Sequence, residues 1–468
     1  MSDNCVNILI VIADQLSRQA IGAYGSCLGV TPNIDRLAAR GVRFDACYTP
    51  SPLCQPARAA FWTGRFPHET GIRSNGWKDS VPTLAADVPT LGEIFSAAGY
   101  EAVHFGKTHD AGALRGFRIE PMAEQSVPAV EPWPVNADTF QDRDTTERVI
   151  EFLQTTRPAP FLAVADLNNP HNICQYVGEF AGPHGDPPIS TPLPDLPENF
   201  SVERFADLPL PVQFVCCSHN RQAQAAGWSE ENFRHYLAAY AHYVSRVDAE
   251  IGRILDALDA SPAGRNTLVV LFSDHGDSMA GHGLVTKQVT LYDETTRVPL
   301  IFAGPGVGGT GGRSVEGLCS LLDLVPTLAG VGEVDTPAGL WGRSLLPWIR
   351  AERESSPHEY VVSEWFTEWG ITVEPGRMLR SARWKYIRYI EADGEELYDL
   401  MADPGERSSL SKDPAFRDVI ETHRRLLSEH LSATSDSFNA LSPKADPRWR
   451  SHELGYHVHR GPAAPMVA

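Results

Sequence analysis

Long apolar runs are missing from this sequence. No segment approaches the roughly 18 consecutive apolar residues that a membrane-spanning helix needs. The early run Val6 to Ala13 is too short, and Asp3 precedes it where a secretory signal would carry Lys or Arg. It reads as a first β-strand. Cysteine is scarce: eight in 468 residues (5, 27, 47, 54, 174, 216, 217 and 319), with no CxxC pair and no dense framework. That argues against structural zinc and a disulfide scaffold and fits a reducing compartment, so the chain as it stands is expected in the cytoplasm, or exported if a leader has been removed. Positive charge is in deficit, with 40 Lys+Arg against 59 Asp+Glu and a net charge of −19. Such a surface repels polyanions, which excludes general binding to nucleic acid or anionic membranes. A small anionic substrate is still permitted if cations are concentrated in one pocket. There is no internal repeat, and the 38 Gly and 36 Pro are too dispersed for a low-complexity chain.

What is present is enough chain for a full core and for two or three domains, or one large domain with an appendage. Five short apolar runs read as buried parallel strands: Asn7–Ala13, Glu101–Phe105, Phe161–Leu167, Thr267–Ser273 and Val298–Ala303. Several alternate with helical patterns, including Leu37–Ala39 and Leu91–Ala98, the grammar of a doubly wound α/β sheet. The clearest helix starts after Ser229, a good N-cap, and carries an apolar stripe from Phe233 to Leu258 that reads as core with no catalytic meaning. The Pro- and Gly-rich stretch 182–211 predicts a long ordered excursion over one face. Beyond residue 350, Tyr360–Glu364, Ser381–Arg388 and Glu396–Leu400 predict antiparallel strands, followed by a helix from Asp413 to Leu431. The expected division is a catalytic domain 1–350, a smaller α+β subdomain 351–434 and an irregular tail 435–468. That tail carries His452, His457, His459 and Arg460.

Polar residues collect just after the predicted strands, where open α/β sheets bind ligands. Asp14-Gln15 follow the first, Gly106-Lys107-Thr108-His109 the second, Asn168-Asn169-Pro170-His171 the third and Asp274-His275-Gly276-Asp277 the fourth. Asp14, Gln15, Asp274 and His275 offer mostly oxygen ligands, a set suited to Ca²⁺, Mg²⁺ or Mn²⁺. Capping of helices or turns is the bland alternative for the two aspartates. Cys54, in Ser51-Pro52-Leu53-Cys54-Gln55-Pro56-Ala57-Arg58, lies near a helix start, where the dipole favours an anion. Arg58 falls one turn further on, able to face back towards it. On physics alone Cys54 is an activated thiol or a small buried cysteine.

Cys-x-Pro-x-Arg followed by Thr63-Gly64-Arg65 resembles the signature of the type I, formylglycine-dependent sulfatases of the alkaline phosphatase superfamily. The resemblance continues through Asp14, Gly106-Lys107-x-His109, Pro170-His171, Ser273-Asp274-His275-Gly276, Lys287 and Glu396-Leu397-Tyr398-Asp399-Leu400…Asp403-Pro404-Gly405-Glu406, in the family's order. It implies a large mixed, mostly parallel α/β sheet sandwiched by helices, with a smaller C-terminal subdomain. It also implies that Cys54 becomes formylglycine, made by a formylglycine-generating enzyme, with the hydrated aldehyde as nucleophile and as a ligand of one divalent metal, Ca²⁺ foremost. Asp14, Gln15, Asp274 and His275 complete the metal site. Arg58 stabilises the hydrate, Lys107 and Lys287 hold sulfate oxygens, His171 protonates the leaving alcohol, and His109 helps break down the sulfated hemiacetal.

Two positions depart from the commonest pattern, which has Asp where Gln15 stands and Asn where His275 stands. The Asp-Gln…Asp-His form is similar to choline sulfatases, phosphonate monoester hydrolases and some sugar sulfatases. One carboxylate fewer relaxes the preference for Ca²⁺ towards Mn²⁺. Asn75, Trp77 and His282 are candidate substrate contacts. The expected activity is hydrolysis of a sulfate monoester, of a carbohydrate in first place. Rivals on the same scaffold are a phosphonate monoester or phosphodiester hydrolase and a choline or aryl sulfatase. Outside it stand a silent binding protein that keeps Cys54 as a thiol, and a plain cysteine hydrolase.

Overall fold

The run Asn7–Ala13 forms strand β1, and its apolar character on both sides places it inside a covered sheet. Ile8, Ile10 and Ile12 enter one core, while Leu9, Val11 and Ala13 enter the other. In the computed structural model the described residues are 5–26, 28–75, 83–120, 137–177, 192–201, 212, 225, 227–287, 290–366, 375–390 and 394–441. β1 is flanked in parallel by β5 (Phe161–Leu167) and β6 (Thr267–Phe272). β3 (Glu101–Gly106) runs parallel to β5 and to β4 (Arg118–Glu120). On the other side β8 (Leu300–Ala303) is antiparallel to β6 and to β2 (Val42–Tyr48). β2 also pairs with β7 (Arg297–Val298) and, in parallel, with β9 (Arg313–Ser320). Among the described residues this makes nine strands, in the order β4–β3–β5–β1–β6–β8–β2–β7 with β9 on β2. Helices Pro32–Ala39, Ala137–Gln154 and Glu230–Ala260 cover one face, and Cys54–Thr63, Leu91–Ala97 and Leu324–Gly332 the other. The fold is thus the expected mixed, mostly parallel α/β sandwich.

The run Val298–Ala303 does not form a parallel strand. Pro299 has no N–H for a ladder and separates β7 from β8, and β8 is antiparallel to both neighbours. Apolar composition specifies burial but not strand direction, which is why the sequence pattern could not supply it. Ser229 caps the long helix as expected, its Oγ accepting from Asn232 N at 3.3 Å. Most of the 182–211 excursion and the tail beyond residue 441, with its histidines, lie outside the described residues. No helix among the described residues is long and apolar enough to cross a membrane.

A second, antiparallel sheet follows: β10 (Tyr360–Trp365), β11 (Gly376–Ser381), β12 (Trp384–Tyr389) and β13 (Glu395–Asp399). Ser381–Arg388 is therefore not one strand. Ala382 and Arg383 form the turn of a hairpin between β11 and β12. The row Val362, Leu379, Tyr386 and Leu397 packs on Ile420, Leu427 and Leu431 of the helix Arg417–Ala433. The adjacent row, with Met378, Ile387 and Glu396, faces the nine-stranded sheet. There Glu396 is fully buried and accepts from the hydroxyls of Tyr292 (3.0 Å), Tyr389 (3.1 Å) and Tyr398 (2.5 Å). Beside it the buried Lys385 Nζ bridges Asp293 at 2.6 Å and Glu406 at 2.8 Å. Removing one partner of a buried charge cluster leaves the others uncompensated. Lys385→Ala is accordingly expected to cost about 3–5 kcal/mol in urea unfolding; a loss below about 1 kcal/mol would show that these ion pairs do not hold the two sheets together.

Candidate active site

The parallel order β3–β5–β1–β6 puts four carboxyl ends side by side, so the residues that follow them share one edge. Lys107, His171, Asp14 and Asp274 are delivered there from distant parts of the chain. Cys54 arrives separately, as the first residue of the helix Cys54–Thr63, all ten residues of which are buried. Its N-cap, Leu53, has no side chain that can cap. Asn75 supplies the missing acceptor from outside the helix, its Oδ1 taking the N–H of Gln55 at 3.0 Å.

Arg58, one turn beyond Cys54, is fully buried and occupies the centre of the carboxylates. Its Nε donates to Asp274 Oδ2 at 3.1 Å and its Nη2 to Asp14 Oδ2 at 3.0 Å. A bidentate pair links Nη1 and Nη2 to Asp166 at 2.5 and 3.1 Å. Asp110 lies 3.6 Å from Nη1 and is fixed by Trp62 Nε1 at 2.6 Å, while His104 Nε2 stands 3.3 Å from Asp166. Lys107 Nζ adds an ion pair to Asp14 at 2.9 Å. Burial alone would raise the Asp14 carboxyl, but Lys107, His171, Lys287 and Arg58 hold it well below the usual carboxylate range. Asp274 goes the other way: burial and the neighbouring Asp14 push it up to about 6.

Around the Cys54 Sγ stand Lys287 Nζ at 3.0 Å and His275 Nε2 at 3.2 Å, and the His109 and His171 side chains hydrogen-bond it as well. Burial and Asp14 would raise this thiol, yet Lys287, His275 and the His109 hydrogen bond hold it well below the ordinary thiol range. His171 is pushed down to about 3 by burial and by the charges of Lys107 and Lys287, so its imidazole is neutral near pH 7.

The residues present fit a divalent cation. Asp14, Cys54, Asp274 and His275 each offer a ligand atom, all within 4.8 Å of one another. Asp14 Oδ1 is buried with no hydrogen-bond partner among the described residues, an acceptor awaiting a cation. His275 Nδ1 lies 2.9 Å from the Gly276 carbonyl, which claims that nitrogen's proton and leaves the Nε2 lone pair towards the cluster. Without a cation, and against burial, Asp274 and Cys54 raise His275 to about 9, so Nε2 carries a proton that a bound cation would displace. Gln15 Oε1 joins the same group through Lys287 Nζ, at 3.3 Å.

Two candidates from the sequence are not brought into this cluster. The His282 ring stacks on Tyr292 at 4.1 Å and its Nε2 lies 3.4 Å from Asn199 Nδ2. Asn75 sits on the Cys54 helix start, as described. Trp77 lies outside the described residues. The sequence reading missed Asp166, Asp110 and the tyrosines of the long helix, and it gave Asp277 a place at the strand edge but no role. Asp166 had a signal, since an aspartate inside the apolar strand Phe161–Leu167 must find a buried cation. Tyr236 and Tyr240, assigned to the core stripe, send their hydroxyls to Asp277 and to the Gln15 carbonyl.

An edge of this kind, with paired carboxylates, two lysines and a cysteine at a buried helix start, suits a hydrolase of tetrahedral anionic esters. The chain belongs to the sulfatase family, whose profile matches residues 6–334; that of the N-sulphoglucosamine sulphohydrolase C-terminal region matches residues 280–433. It is a sulfuric ester hydrolase. It is similar to the Delta 4,5-hexuronate-2-O-sulfatase of Bacteroides thetaiotaomicron, at 49% identity over 462 residues, 98% of this chain and 95% of the relative. Among solved structures it resembles a 2-O GAG sulfatase, with a TM-score of 0.91 and 47% identity over 99% of this chain and 100% of the other. A phosphonate monoester hydrolase of Agrobacterium radiobacter shares the fold, with a TM-score of 0.75 at 22% identity, over 92% of this chain and 96% of that one.

Lysine at position 58 would keep one positive charge and lose the planar fork that reaches three carboxylates. Arg58→Lys is expected to lower unfolding free energy by about 2–3 kcal/mol through lost charge-assisted hydrogen bonds. A variant within about 0.5 kcal/mol of the parent in the same denaturation would remove Arg58 from the centre of this account.

Proposed function

We propose that the chain hydrolyses a sulfate monoester at the 2-position of a hexuronate sugar, with Cys54 matured to formylglycine as the nucleophile. Maturation needs a formylglycine-generating enzyme as partner. One divalent cation, Ca²⁺ before Mn²⁺ or Mg²⁺, is held by Asp14, Gln15, Asp274, His275 and the matured residue 54. The observation that carries the reading is the convergence of Lys287 and His275 on the Cys54 Sγ, beside two buried carboxylates. The sugar and its position rest on the 49% identical hexuronate 2-O-sulfatase, aligned over nearly all of both chains.

The bound cation would act as a Lewis acid on the sulfate and on the hydroxyl beside it. The chain's own groups do the rest. Lys107 and Lys287 place positive charge where non-bridging oxygens gain negative charge in the transition state. His171 is neutral only because burial and these two lysines depress it. A sulfate seated between the lysines would offset their part of that depression and favour the protonated His171 that delivers a proton to the leaving alcohol. His109, whose side chain hydrogen-bonds residue 54, would take a proton from the oxygen there when sulfate is released.

Sulfate release from a 2-O-sulfated unsaturated hexuronate disaccharide is the direct test, run beside a 6-O-sulfated glucosamine and a phosphonate monoester. Release is expected from the first substrate alone. It should be lost on chelation, fall on the order of 10⁵-fold in Cys54→Ala, and fall about 10²–10⁴-fold in kcat in His171→Ala. Faster turnover of the phosphonate, with sulfate release no higher than in Cys54→Ala, would overturn the reading.

A further inference from the structure

We propose that Asp277, anchored by Tyr236, is a positioning residue that turns the oxygen of the Gln15 side-chain amide towards the metal-ligand cluster. The inference rests on the metal-site reading above and explains how an amide serves where a carboxylate is the commoner choice. A carboxylate presents an oxygen whichever way it is rotated. An amide presents an oxygen one way and an N–H₂ donor the other, and a donor facing a cation repels it. Gln15 therefore needs something to settle its flip.

The surroundings settle it from both ends. Gln15 Nε2 donates to Asp277 Oδ2 at 2.6 Å. Asp277 Oδ1 accepts from the Tyr236 hydroxyl and from Met279 N, so this carboxylate is ringed by donors and offers Gln15 only acceptor capacity. At the opposite end Oε1 accepts from Lys287 Nζ, a group that can only donate, and from the Cys174 thiol at 3.4 Å. Both ends impose the same orientation, with nitrogen outward to Asp277 and oxygen inward to the cluster. The Gln15 backbone is fixed independently. Its φ is +67°, its N–H donates to Asp274 Oδ1 at 3.1 Å and its carbonyl accepts from the Tyr240 hydroxyl at 2.7 Å. With the main chain clamped and Gln15, Asp277 and Tyr236 all fully buried, the amide flip is the remaining freedom, which Asp277 removes from the nitrogen end as Lys287 does from the oxygen end.

Tyr236 couples this choice to the lysine. Its hydroxyl accepts from Thr286 N at 2.7 Å, on the residue before Lys287, while donating to Asp277. One phenol thus ties the orientation of Gln15 to the placement of the ammonium that meets its oxygen.

The test is calorimetric titration of the metal-stripped full-length protein with Ca²⁺ and with Mn²⁺. Asp277→Asn keeps its oxygen on Tyr236 and Met279 and turns an N–H₂ donor to Gln15, so one end of the amide then opposes the orientation that Lys287 imposes at the other. Metal affinity is expected to fall about 10–100-fold, the usual cost of losing a partner behind a ligand. The exchanged pair Gln15→Glu with Asp277→Asn restores an N–H donor facing an acceptor and returns an oxygen to the cluster, so affinity should recover to within about threefold of the parent or exceed it. Tyr236→Phe, a milder change, should weaken binding several-fold and serves if Asp277→Asn does not fold. A merely structural role for Asp277 would lower the melting temperature of the metal-free protein without moving the metal Kd. Parent-like affinity in Asp277→Asn, or an exchanged pair no better than the single variant, would overturn the inference. A parent protein that binds neither ion would instead overturn the metal-site reading, and the inference with it.

Discussion

A single buried guanidinium makes this site possible. Asp14, Asp166 and Asp274 end or follow three adjacent parallel strands and would otherwise be three carboxylates crowded out of water, a state of prohibitive cost. Arg58 reaches all three with the fork of one side chain. Because Cys54 and Arg58 are one turn apart, they share a face of their helix, and anchoring the arginine among the carboxylates directs residue 54 at the cluster. The charge pattern of the whole chain then becomes intelligible. A protein of net charge −19 can take a sulfate ester because its cations are gathered at one strand edge, Arg58 and Lys107 by the aspartates and Lys287 by Cys54 and Gln15.

The second sheet supports the same edge from further out. The loop that carries Lys287 has Met279, Ala280, His282 and Thr286 in the left-handed region, a conformation that non-glycine residues adopt only when their surroundings enforce it. Tyr236 holds the Thr286 end of that loop. Beyond it Tyr292 joins the hydroxyl cluster on Glu396, and Asp293 meets Lys385. The C-terminal residues that match the family pattern, Glu396 and Glu406 among them, thus act on the strand edge of the larger sheet through Tyr292 and Asp293.

Much of this was legible before any coordinates. Strands buried on both faces announce themselves as short continuous apolar runs, and the residues just past them are the site by topology alone. The direction of Val298–Ala303 was not legible, because an apolar run reads alike in either sense. The hairpin at Ala382 and Arg383 was hidden in a stretch with no Gly or Pro to mark the turn. The deeper layer was hardest to see. Tyr236 and Tyr240 fit an apolar helical stripe so well that their hydroxyls looked incidental, and Asp277 could be linked to Gln15 only across a separation of 262 residues. Asp166 was the exception, a charge inside a strand whose cost should have prompted a search for its partner.

The central claim is that the Arg58-bridged carboxylates form a cation site against residue 54. Anomalous diffraction from crystals grown with Mn²⁺ tests it most directly. The account predicts one ion roughly 2.0–2.6 Å from Asp14 Oδ1, His275 Nε2 and oxygens of Asp274 and Gln15. An ion found instead among His68, Glu364 and Asp436 or among His104, Asp110 and Asp166, or none at saturating metal, would contradict it.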